Sequence, residues 1–229
     1  MNDSLQIIRE RLLSLKDEKY KEFQSALIPT VDKNTIIGVR TPQLRSLAKD
    51  LYGTHAAEEF LNALPHYYYE ENNLHAFLIE KENSFDKAVM LLDAFMPFVD
   101  NWATCDGMRV KVFEKHLAET EKDAYRRLNS NLVYEQRFAI VTFMKFFTGE
   151  HFLPEQAEKI AQVKTDEYYV NSAIGWYFAT LLTKKYEDAL PYIVDKKLNK
   201  NAHNLSIKKA CESLAIPKNK KDYLKGLKI

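Results

Sequence analysis

The sequence predicts an all-α fold, and three observations support that prediction. Only 6 Gly and 7 Pro interrupt 229 residues. No run of alternating apolar and polar residues bounded by hairpin signals can be placed as a strand. Apolar residues instead recur at three- and four-residue intervals, which collects them on one face of a helix. A hydrophobic fraction of 46% with 28% charged residues is that of a folded protein and argues against intrinsic disorder. The length suffices for a sizeable core, read as one continuous body over 1–229.

The first helix carries Leu5, Ile8, Leu12, Leu13 and Leu15 at helical intervals, with Ser4 or Asp3 as its cap. Thr41-Pro42 then supplies an N-cap followed by Pro at the first helical position. Leu44, Leu47, Ala48 and Leu51 form its apolar stripe, and Gly53 its stop. Further helices are expected over 56–64, 67–82, 84–97, 103–118, 122–130, 135–147, 154–164, 167–184, 186–196 and 201–213.

Short helices joined by short polar links suit pairs stacked into a solenoid, each pair burying its apolar face against the next. Asn73, Asp106, Arg137, Trp176 and Lys209 recur at intervals of 33, 31, 39 and 33 residues. These spacings approach the two-helix repeat and fall somewhat below the roughly 40–47 residues of HEAT units. In such a superhelical array the second helix of each pair lines a concave groove, where side chains distant in sequence converge. Trp102 would then mark a helix entry, with Asp106 one turn later on the same face.

Two cysteines, Cys105 and Cys211, and no apolar segment after Met1-Asn2-Asp3 point to a reducing cytoplasm. No stretch approaches the roughly 20 apolar residues of a membrane span. The net charge of +1 conceals an asymmetry, since residues 184–229 hold 12 Lys against 5 acids while the rest carries 21 basic and 27 acidic residues. A polyanion would favour the C-terminal part; a solvated lysine-rich tail explains the same count. The six histidines lack paired-ligand spacing and the cysteines form no CxxC, so a structural zinc is not indicated. Phosphate-cradling glycine motifs are absent, so nucleotide cofactors are not indicated either. The aromatic clusters at 67–69 and 168–169 could stack on bases, although aromatic helix faces more commonly pack inside.

Three segments, DNWATCD (100–106), YEQRFAI (134–140) and NSAIGWYF (171–178), resemble in order and spacing the signature segments of a known family. It is the DNA alkylation repair family, bacterial alkylpurine DNA glycosylases built from HEAT-like repeats. GVRTPQLRSLAK (38–49) resembles that family's N-terminal segment, so the similarity spans most of the chain. By matching motif, the resemblance implies Asp106 as the catalytic carboxylate, Trp102 and Trp176 as the active-site indoles, and Arg137 as the phosphate-binding group. It further implies hydrolysis of the N-glycosidic bond of purines alkylated at N3 or N7 in double-stranded DNA, without metal or organic cofactor, the base staying stacked while the sugar is engaged.

That chemistry suits those residue types. Such a base is already cationic and leaves readily, so the enzyme need only stabilise positive charge developing on the deoxyribose. A carboxylate does so while orienting water, and indole faces attract a cation and exclude solvent. Arg137 would fix a backbone phosphate through a charge-assisted contact.

Taken singly, each residue has a plainer reading. Trp102 suits a core anchor, Asp106 a first-turn acid favoured by the helix dipole, Arg137 the partner of a neighbouring Glu, and Trp176 a space filler beside Gly175. The chain also departs from the family twice. Ala103 stands where relatives carry an acid after the first Trp, and Tyr177-Phe178-Ala179 follow Trp176 where a basic residue is common. A noncatalytic module binding DNA or a protein partner is the alternative.

Overall fold

The computed structural model describes residues 3–229; the side chain of Asp3, one of the two caps expected for the first helix, lies outside the described residues. Fourteen α-helices and three short 3-10 turns, with no strand, make up the regular structure among them. In order, α1 spans Asp3–Ser14, α2 Glu18–Leu27, α3 Thr41–Leu51, α4 His55–Asn62, α5 Tyr69–Ile79, α6 Phe85–Phe95 and α7 Trp102–Gly107. They continue with α8 Leu117–Leu128, α9 Val133–Phe146, α10 Pro154–Ala161, α11 Tyr168–Lys184, α12 Tyr186–Val194, α13 Lys200–Glu212 and α14 Lys218–Lys225. The chain divides into two compact units at His116 and Leu117.

In the first unit α3, α5 and α7 pack in succession. Every residue of α5 is buried, including Glu70, Glu71, Asn72, Asn73 and His75. Ile8, Leu44, Leu47, Phe60 and Leu74 form the main core, and a smaller cluster gathers Ile28, Ile36 and Tyr69. In the second unit α9, α11 and α13 pack in succession, with α8 against α9 and α12 against α11. The recurring positions Asn73, Asp106, Arg137, Trp176 and Lys209 thus fall on the alternate helices α5, α7, α9, α11 and α13. Within each unit this is the packing that stacked helix pairs produce.

Several expected elements need correction. Thr41 is the first helical residue, not the cap; Arg40 precedes it in extended conformation and its N–H donates to Gln43 Oε1. Gly53 does stop α3, with a φ of 82°. The helix expected over 103–118 breaks at Gly107: its carbonyl accepts from Arg45 Nη2 at 3.1 Å, and the Arg109 N–H donates to Glu80 Oε1 at 2.7 Å. Backbone groups that would have continued the helix are bound by side chains of α3 and the end of α5 instead. Two helices, α2 and α14, had no sequence expectation; α2 opens with four charged residues among its first five, and half of α14 is lysine.

Gly175 lies where α11 meets α13 most closely. A Cβ there would stand 2.7 Å from Leu205 Cβ and 3.2 Å from backbone atoms of Leu205 and Ser206. Ala is the better helix former by roughly 0.5–1 kcal/mol, but overpacking costs about 1–3 kcal/mol. Gly175→Ala is therefore expected to destabilise the protein by about 1 kcal/mol, measured by urea unfolding; a gain in stability would contradict this packing.

A buried histidine pair sits in the first unit. His66 Nε2 and His75 Nδ1 are 2.9 Å apart, His66 stacked on Phe60 and His75 on Phe95. One nitrogen must donate and the other accept, so at least one ring is neutral, and burial disfavours charge on either. Burial pushes His66 down to about 4, and pushes His75 well below the ordinary range. Because the folded-state values are depressed, the stability is present above the unfolded value of about 6.5 and is lost as pH falls toward 4. The loss should be about 3 kcal/mol for His66 alone. A doubly substituted H66F/H75F protein should show a flatter profile between pH 6.5 and 4.5, and equal slopes for both proteins would refute the neutral pair.

Candidate functional site

In the first unit the candidate residues lie on α7. Asn101 caps it, its Oδ1 accepting from the Thr104 N–H at 2.8 Å, so the helix begins at Trp102 as the sequence suggests. Beneath it runs a buried polar chain. Thr104 Oγ1 donates to Asn73 Oδ1 at 2.8 Å and accepts from Asn101 Nδ2 at 3.0 Å. This chain ties α7 to α5 and fixes the direction in which α7 presents its side chains. Asn73 was legible only as a recurring position; nothing local in the sequence marks its hydrogen bond.

Trp102 is half-buried. Its Nε1 donates to the Leu27 carbonyl at 3.1 Å, and its ring packs against the cluster of Ile28, Ile36 and Tyr69. The anchor reading therefore fits much of the indole, which is nonetheless left partly exposed. Ala103 packs against the same apolar cluster.

Asp106 is also partly exposed, in the last turn of a six-residue helix. A first-turn role beside the positive end of the dipole does not apply, because a helix C-terminus disfavours negative charge. The capping network and the Arg45 bond to Gly107 bracket its backbone on either side.

The other two residues belong to the second unit. Arg137, on α9, is 4% exposed, and its Nη1 donates to the Tyr169 carbonyl at 2.6 Å, at the start of α11. Trp176, on α11, is 38% exposed, whereas Tyr177 and Phe178 beside it are fully buried. Gly175, not Trp176, makes the close helix contact, so the indole does not serve as a space filler there. The aromatic clusters divide in the same way: Tyr69 is buried and Tyr134 faces Tyr169 at 5.8 Å, while Tyr67 and Tyr168 are exposed.

GVRTPQLR proves to be a second structural anchor. Buried Glu70 accepts from the N–H groups of Ile37, Gly38 and Val39 at 2.8, 2.7 and 3.2 Å. Gly38 has a φ of 95°, and a Cβ there would stand 2.4 Å from the Asp17 carbonyl oxygen. Only glycine fits.

A family model described as DNA alkylation repair enzyme matches residues 8–214. The chain belongs to that family. No curated protein matches it. The four candidate residues and the anchored segment around Gly38 all lie within the matched span, and α14 lies outside it. Membership in the DNA alkylation repair family points to DNA as the substrate. Among the described residues, no helix is long and apolar enough to cross a membrane.

Proposed function

We propose that this DNA alkylation repair protein is a glycosylase that hydrolyses the N-glycosidic bond of cationic N3- or N7-alkylated purines in duplex DNA. The observation that carries this reading is the pairing on α7 of a partly exposed carboxylate, Asp106, with an indole anchored along one edge, Trp102. In this reading Trp176, on the second unit, supplies a further aromatic surface. Water attacks C1′, the bond to the purine nitrogen breaks, and the bonding electrons neutralise the cationic base. The water proton passes to solvent. Asp106 stabilises the oxocarbenium-like charge and orients the water, and the indole faces favour the cation.

Arg137 enters as the group that holds a backbone phosphate, its fork oriented by the Tyr169 carbonyl. Such a contact carries no base identity, so Arg137→Ala should weaken binding to any duplex without changing lesion preference. Unchanged affinity together with a lowered melting temperature would make it a strut between α9 and α11.

The direct test incubates purified protein with methylated DNA and identifies liberated bases by mass. Release of 7-methylguanine or 3-methyladenine above the spontaneous rate is expected; none would reject the activity. Apolar Ala103 and buried Arg137 favour a second reading, a noncatalytic module that binds duplex. Its mark is binding that weakens steeply with salt, because phosphate contacts release counterions, with no base release.

A further inference from the structure

Tyr177 and Phe178, which follow Trp176, are both fully buried, so α11 offers no positive charge directly beside Trp176. Packing brings one in from another helix. A surface depression of about 340 Å³ between α11 and α13 is lined by Trp176, Thr180 and Lys184 from the first and by Lys209 and Glu212 from the second. Lys184 is held by donating its Nζ to Thr148 Oγ1 at 3.0 Å. Neither Lys184 nor Lys209 forms an ion pair among the described residues. Two ammonium groups against the Glu212 carboxylate leave the depression net positive beside an exposed aromatic face.

Trp176 and Lys184 stand eight residues apart on one helix, about 12 Å along its axis. Aromatic rings flanked by cations are the elements from which strand-tracking surfaces are built.

We propose that Lys209 and Lys184 hold strand phosphates of duplex DNA in this depression, with Trp176 against the adjoining sugar. The assignment rests on the functional reading only in taking DNA as the ligand, and it requires no base release.

The test measures full-chain binding to an undamaged duplex oligonucleotide over a series of salt concentrations. Lys209→Ala should bind about 5-fold more weakly at low salt, and the slope of log affinity against log salt should shrink by about one. Lys209→Gln, which keeps most of the aliphatic stem, should lose as much. Lys159→Ala, in a different depression of the same unit, should match wild type. Wild-type affinity and slope in both Lys209 variants overturn the assignment, as does an equal loss in Lys159→Ala. Full competition by deoxyguanosine monophosphate overturns it in favour of a free-nucleotide pocket. A wild-type protein that binds no duplex overturns the functional reading as well; one that binds while the Lys209 variants are unchanged overturns this assignment alone.

Discussion

Asp106→Asn is expected to lower base release from methylated DNA by about 100- to 1,000-fold while leaving affinity for the same duplex within about twofold. The substitution preserves shape and removes only the charge. A unit charge about 4 Å from a developing cation is worth about 4 kcal/mol at an effective dielectric near 20, which is close to a thousandfold in rate. A thermal melt of the Asn variant checks that the fold survives the substitution, since the helix is also held by the Asn101 cap and by Arg45. Single-turnover assays with saturating protein separate the chemical step from binding. An Asn variant that releases base at the wild-type rate would remove Asp106 from the chemistry.

Glu70→Ala is expected to produce the largest loss of stability, about 3 kcal/mol, because it leaves three inward-facing backbone N–H groups without their acceptor. Glu70 is fully buried and accepts from Ile37, Gly38 and Val39. Burial pushes its carboxyl above the ordinary range, opposed by these same three donors. With a folded-state value above the unfolded one, its protonation adds stability at acid pH that is lost as pH rises through the folded value. That slope is opposite in sign to the histidine pair's, so Glu70→Gln should steepen the fall in stability on acidification. Equilibrium unfolding in urea measures both effects, and a Glu70→Ala protein within about 0.5 kcal/mol of wild type would show that the loop does not need its anchor.

The legible parts of the site are those with a local cause. Trp102 at a helix entry follows from the Asn101 cap three residues before Thr104, and the stop at Gly53 from a positive φ that glycine adopts freely. Trp176 and Arg137 could be placed on helices but not assigned an exposure: α9 and α11 are buried around most of their circumference and show no clear polar face to read. The break after Gly107 was missed because its hydrogen-bond partners, the donor Arg45 and the acceptor Glu80, come from elsewhere in the chain, on α3 and at the end of α5. Lys209, legible only as a recurring position, becomes a neighbour of Trp176 only because Gly175 lets α13 approach.

The sequence by itself determined that the chain is helical, where most helices start and stop, and that its signature segments stand in the order of the DNA alkylation repair family. These depend on hydrogen bonds and side-chain spacing within a few residues. The tertiary structure alone decided that Ala103 packs against an apolar cluster, that Arg137 is buried while Trp176 is exposed, and that Lys209 lies in the same depression as Trp176. Each of these follows from which helices share a face, and burial depends on contacts among residues tens of positions apart that no local pattern encodes.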